Sequence, residues 1–161
     1  MTINEMLEMT EMFGPEDERD TIVEKVLGIG GELGEWMEAL SDDSREGRHE
    51  ELADILIYLF LYVKATKCGF HSIHPFSLVG SVKSFTGVCC SVLKLLEYEK
   101  KVFGDREIRN LTLCQAMATD ILIWIMRLAT TYEVDLEQMF LKVTIRNQER
   151  YLRGDYDRRI R

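Results

Sequence analysis

Apolar residues recur along this chain with helical rather than alternating spacing. Ile3, Met6, Leu7, Met9 and Phe13 predict a short amphipathic helix over 2–13, with Thr2 as its cap and Glu5 closing a capping box. Gly14-Pro15 ends it, and Pro15 suits the first position of a second helix that reaches about Leu40. The inward stripe of that helix reads Val23, Val26, Leu27, Gly30, Leu33, Met37 and Leu40. A polar loop over 41–47 leads to a third helix, Arg48 to Lys67. From Ile55 to Val63 it is apolar all round, so it belongs between layers. After a linker over 68–75, a fourth helix is expected over 76–102, a fifth over 108–132 and a sixth from the cap Asp135 to Leu152. The last nine residues are polar and expected to fray. The expected fold class is all-α, a bundle of about six helices in a single domain over 1–161.

The pattern also repeats. Asp54-Ile55-Leu56-Ile57-Tyr58 returns 66 positions later as Asp120-Ile121-Leu122-Ile123-Trp124. Ahead of these, Gly28-Ile29-Gly30 aligns with Gly87-Val88-Cys89 and Glu38 with Glu97. The second and third helices read as copied in the fourth and fifth, which makes 2–67 one unit and 76–152 a second unit with the last helix appended: an internally duplicated pseudo-dimer.

Polar residues inside this frame carry the candidate chemistry. Glu32 and Glu35 are three apart, as are Glu51 and Asp54, and residues three apart share a helix face. Two such helices can converge four carboxylates. At about 4 Å each like-charge contact costs roughly 1 kcal/mol even in water, so the arrangement calls for a cation. Against the stripe given above, Glu32 and Glu35 fall on a different face with Gly28 and Gly31, which by itself reads as solvated charge. The glycines speak for a close approach by another group, because each costs about 1 kcal/mol relative to Ala in a helix interior. The second unit has Ser91, Lys94 and Met117 where the first has Glu32, Glu35 and Glu51, and keeps only Asp120 of the four acids. One complete centre supported by a degenerate half fits that contrast.

Composition narrows the alternatives. Hydrophobic residues make up 46% of the 161, and only two prolines occur. A net charge of -8 argues against general nucleic-acid binding. Cys68, Cys89, Cys90 and Cys114 have no C-x-x-C spacing, so no zinc ribbon or thioredoxin motif is indicated. The longest apolar run is nine residues, short of a bilayer span. A cytoplasmic location without a membrane or nucleic-acid partner is expected. His71 and His74 read as surface or interface residues. Glu46 and His49 have the Glu-x-x-His spacing of di-iron bundles, but no second copy of that motif exists and they read as loop and helix-start residues.

Gly31-Glu32-Leu33-Gly34-Glu35 followed by Glu51-Leu52-Ala53-Asp54 at the head of an apolar helix resembles the all-α nucleoside triphosphate pyrophosphohydrolases of the MazG type, dCTP pyrophosphatases among them. Leu128-Ala129, then Val134-Asp135-Leu136-Glu137, then Lys142, Asn147 and Arg150-Tyr151 resemble the family's C-terminal segment, so the likeness covers about 2–151. There are departures. Gly31 stands where an additional Glu is common. Lys142 lies five rather than four before Asn147, which leaves Arg146 as its substitute. The Lys-Trp-Trp-Lys-like element of the dimeric dUTPases is absent.

The resemblance implies a bundle that hydrolyses nucleoside triphosphates to monophosphate and pyrophosphate. It implies Mg²⁺, or Mn²⁺ in its place, on Glu32, Glu35, Glu51 and Asp54, with Glu35 or Glu32 as the base. It further implies substrate contacts from Lys142, Asn147, Arg150 and Tyr151, and a homodimer. Trp36 stacks on a base in one reading and packs at the seam between halves in the other. A non-catalytic nucleotide-binding or interaction module is the competing expectation.

Overall fold

The structure, a computed structural model, describes residues 1–10, 20–73, 86–105 and 108–153, with backbone alone at 20, 21 and 151. Among the described residues six helices form: α1 (Ile3–Met9), α2 (Asp20–Ser41), α3 (Arg45–Thr66), α4 (Thr86–Gly104), α5 (Leu111–Thr131) and α6 (Leu136–Leu152). Among the described residues there is no strand, and the expected all-α bundle is what the chain forms. The expectations placed on Gly14-Pro15, His74, residues 76–85 and the last eight residues lie outside the described residues.

Local chemistry sets the helix ends. The capping box of Thr2 and Glu5 forms as expected, and Asp135 Oδ1 accepts the Gln138 N–H at 3.0 Å to start α6. The third helix begins earlier than Arg48, because Ser44 Oγ caps it by accepting the Gly47 N–H at 3.2 Å. Glu46 is thereby helical rather than a loop residue, His49 is helical as expected, and the acidic edge of α3 gains a turn.

α2 pairs with α3 and α4 with α5; α2 also lies on α4, α3 on α5, and α6 on α3. α3 is consequently covered on every side, and Leu52–Val63 is buried throughout except for the half-buried Tyr58. That matches its uninterrupted apolar sequence. α5 has the length and apolar composition for crossing a bilayer, but it lies on α3 and α4 and buries Ala118, Ile121, Leu122, Ile125 and Leu128 in the shared core.

The stripe on α2 differs from the expected one. The buried residues are Ile22, Val26, Ile29, Leu33 and Trp36, whereas Leu27 and Met37 are 59% and 48% exposed. Both stripes have helical period. They compete because α2 carries apolar residues on two adjacent faces, and the face against α3 and α4 wins. This rotates the acids: at about 100° per residue Glu32 sits roughly 80° from the centre of the buried stripe, flanking the core instead of opposing it.

Gly28 explains itself in this geometry, since a Cβ there would run into the Tyr58 ring down to its Cγ. Gly87 takes the Trp124 ring in the same way. Gly31 has open space, so the close approach expected at both glycines occurs at Gly28 alone. The two hairpins run in register in burial as well: Ile29, Leu33 and Trp36 are matched by Val88, Val92 and Leu95, and Leu52, Ile55, Leu56 and Leu59 by Ala118, Ile121, Leu122 and Ile125.

One buried polar group ties α3 to the second hairpin. Glu99, 2% exposed, accepts Arg109 Nε at 3.2 Å and Nη2 at 2.7 Å, and the Tyr62 hydroxyl at 2.8 Å. A buried charge needs such partners.

Gly28→Ala is expected to lower stability by about 1–3 kcal/mol through overpacking against Tyr58, whereas Gly34→Ala, which meets nothing within 4 Å, is expected to raise it by up to about 1 kcal/mol. Urea denaturation of the two variants reads the opposite signs. Arg109→Met, which strands Glu99, is expected to cost about 3–5 kcal/mol; the double variant Arg109→Met/Glu99→Gln should recover part of that loss in the same assay.

Candidate metal centre

Carboxylate oxygens of Glu32, Glu35 and Glu51 lie within 4.8 Å of one another, with Glu32 and Glu51 half-buried and Glu35 exposed. Among the described residues they are the single group of three or more side chains able to hold a metal. α2 supplies two and α3 the third, and the hairpin between them needs only the turn at 42–44, where Asp43 takes a left-handed conformation (φ 52°). The donor set is all oxygen and charged, which suits a hard divalent cation. Each of the three carboxylates could offer one oxygen to Mg²⁺, which takes hard oxygen ligands of this kind.

The cluster is electrostatically strained without a cation. Burial is the main cause that pushes the Glu32 carboxyl up to about 8; its hydrogen bond with Glu51 and the charges of Asp54, Glu35 and Glu51 add to it. Burial also raises Glu51, where the neighbouring Asp54 and Glu35 charges add to the shift while the bond from Glu32 and the charge of Arg146 oppose it. The two shifts belong to the pair, which gives up its protons at higher pH than isolated carboxyls do.

Asp54 stands differently. It is 8% exposed, and both its oxygens are engaged from α6: Arg146 Nη2 reaches Oδ2 at 2.9 Å and Asn147 Nδ2 reaches Oδ1 at 3.2 Å. Burial raises its carboxyl, partly offset by Arg146 and Asn147. Arg146 Nη1 also bonds Glu50 at 2.7 Å, and Lys142 bonds Glu50 at 2.8 Å and Glu46 at 2.9 Å. The Lys142 hydrogen bond is the leading cause that holds Glu50 below the usual carboxylate range. Glu46, Glu50 and Asp54 descend α3 one turn apart, and Lys142 and Arg146 descend α6 in step with them. The two helices run parallel, zipped by opposite charges.

The expected site residues therefore divide. Glu32, Glu35 and Glu51 converge, and Asp54 adjoins them with its oxygens held by α6. Lys142 and Arg146 both face the acids of α3, and Asn147 joins them. Arg150 is exposed in the last turn of α6, and Tyr151 is helical in its backbone. Trp36 is 1% exposed and meets Tyr132 edge-on at 5.5 Å, so its ring is packed inside the bundle. In the second hairpin, Lys94 and Asp120 are exposed and Ser91 and Met117 half-buried. Glu46 and Glu50 were missed from the sequence. Their signal was the four-residue step 46-50-54 on an acidic helix edge, matched by the step 142-146 on a later helix with cations.

Set against known protein families, curated proteins and solved structures, the chain matches none.

The Glu32 shift has a defined sign. A carboxyl whose folded pKa is raised contributes stability that is fully present below its ordinary value of 4.5 and is lost as pH rises through about 8. The cation-free protein is therefore expected to lose thermal stability between pH 5 and 8.5. Glu32→Gln should flatten that slope, and Mg²⁺ should stabilise the wild type increasingly as pH rises. Scanning calorimetry across this range, with and without the cation, checks all three.

Proposed function

We propose that this chain is a Mg²⁺-dependent nucleoside triphosphate pyrophosphohydrolase of the MazG type, converting a (deoxy)nucleoside triphosphate and water to the monophosphate and pyrophosphate. The observation that carries the reading is the convergence of Glu32, Glu35 and Glu51 from two helices, bordered by the cations of a third. Acids alone would hold an ion. The neighbouring Lys142, Arg146 and Asn147 add donors that suit phosphate oxygens, and charge-assisted contacts of that kind are the strong ones.

When bound, the cation neutralises phosphate oxygens and acidifies water. The chain's own residues do the rest. Glu32, Glu35 and Glu51 would hold the ion, with Asp54 beside them as the fourth carboxylate. Lys142, Arg146, Asn147 and, from the end of α6, Arg150 and Tyr151 orient the triphosphate. Water adds across the anhydride between the α- and β-phosphates; the bridging oxygen leaves with pyrophosphate, and Glu35 or Glu32 accepts the water's proton. The reaction class suits the disposal of unwanted nucleotides from a cytoplasmic pool.

The duplication belongs to the same proposal. Relatives that pair identical subunits would be reproduced here within one chain, with α2–α3 as the working unit and α4–α5 as its degenerate twin. The matched burial of the hairpins and the paired Gly28–Tyr58 and Gly87–Trp124 contacts support that reading. A homodimer of this pseudo-dimer follows the family's habit.

Incubation with Mg²⁺ and a panel of deoxy- and ribonucleoside triphosphates should release pyrophosphate from at least one of them. Glu51→Ala or Glu35→Ala should reduce the rate roughly 10²–10³-fold, the several kcal/mol that a lost metal contact represents. No release from any nucleotide, together with nucleotide binding that Glu51→Ala leaves intact, would move the protein to the non-catalytic class.

A further inference from the structure

We infer that α6 is a latch that withholds the fourth carboxylate from the cation until a polyphosphate anion draws Arg146 away. The inference rests on the metal-centre reading and concerns its regulation.

Asp54 belongs to the acid cluster by position, on the same face of α3 as Glu51 and one turn further on. Its charge is felt by both Glu32 and Glu51. Yet neither of its oxygens is turned over to that cluster: one accepts from Arg146 and the other from Asn147. Arg146 is itself held in place by Glu50, which Lys142 also grips. A cation arriving alone therefore meets three carboxylates and a guanidinium. Each Asp54 oxygen already accepts a hydrogen bond, so ligation by Asp54 competes with Arg146 or Asn147 for its lone pairs, and turning it toward the ion leaves Arg146 with Glu50 as its acidic partner.

A chain of phosphates changes the balance. It offers Arg146 and Lys142 more negative oxygens than Glu50 and Asp54 do, in the geometry that a guanidinium binds best. Arg146 lies at the surface end of its contact, with its side chain 34% exposed, so it can turn outward without unpacking α6. Once it turns, Asp54 is an uncompensated, largely buried carboxylate beside the ion, and ligation relieves it. Cation and polyphosphate then reinforce each other, each favouring the state the other needs. That coupling is reciprocal by necessity.

The decisive experiment titrates Mn²⁺ alone into the nucleotide-free protein and follows the free ion by electron paramagnetic resonance. Arg146→Met should bind Mn²⁺ about tenfold more tightly than wild type. Lys142→Met removes the same charge from the same ladder but leaves Asp54 clamped, so its gain should be clearly smaller. Adding Asp54→Asn to Arg146→Met should abolish the gain, a coupling that a double-mutant cycle reads directly. Far-ultraviolet circular dichroism verifies that each variant keeps its helices, and Arg146→Lys provides a milder second probe.

In the wild type labelled with ¹⁵N-arginine, Mg²⁺ with an α,β-imido triphosphate should shift the Arg146 Nε–H signal. Equal gains from Arg146→Met and Lys142→Met, or a gain that survives Asp54→Asn, would reduce the effect to net charge and overturn the latch. An unmoved Arg146 signal with the analogue bound would also overturn it. Absence of Mn²⁺ binding in both wild type and Arg146→Met would instead remove the metal centre itself.

Discussion

Everything at the head of α3 depends on a balance of like charges. This helix is the most deeply buried in the bundle, yet its first three turns carry Glu46, Glu50, Glu51 and Asp54. Water cannot solvate all of them where α2 and α6 close in. The fold divides the charge between two neighbours. On one side Lys142 and Arg146 neutralise the row 46-50-54. On the other, Glu51 meets Glu32, and burial with repulsion among the acids raises both carboxyls. The first arrangement satisfies itself, and the second leaves like charges facing one another. That difference, more than the number of acids, is what the proposed cation site on the α2–α3 side rests on.

The two hairpins show the same packing with and without this balance. α4 and α5 keep the buried stripe, the glycine beneath an aromatic ring and the same pairing, but Ser91, Lys94 and Met117 stand where the acids would be. Asp120, the remaining acid, is exposed and needs no counterpart. The side of α5 that corresponds to the acid edge of α3 has no zipped helix among the described contacts. Core and surface charge are thus separable: a similar apolar register supports both hairpins, while the closely grouped acids occur in the first alone.

Much of this was legible in the sequence. Helix number, the central placement of α3, the caps at Thr2 and Asp135, and the grouping of Glu32, Glu35 and Glu51 all follow from spacing. The stripe on α2 did not, because Leu27 and Met37 are as apolar as the residues that are buried, and periodicity alone cannot choose between adjacent faces. The start of α3 lies earlier than composition indicates because Ser44, an ordinary loop residue by type, caps it, which brings Glu46 onto the helix; the role of Glu50 depends on α6 lying alongside. Trp36 offered two readings on one pattern, and the packing of Tyr132 against it comes from a residue nearly a hundred positions away. The clamp on Asp54 is of the same kind: a contact between distant segments whose existence depends on how two helices align.

The ring of Tyr58 seated on Gly28 has a further meaning for the centre above it. Gly28 lies one turn before Glu32, and Tyr58 one turn after Asp54, so the ring works as a shim between α2 and α3 directly beneath the acids. Its flat face, with no side chain opposite, sets how near the two backbones come, and hence the reach of the carboxylates across the gap. In the proposed centre the floor is in this sense rigid carbon, while its roof is a row of ion pairs between α3 and α6. Ionic radius would be judged by the floor and the anion's charge by the roof, two selectivities that substitutions in different helices could tune separately.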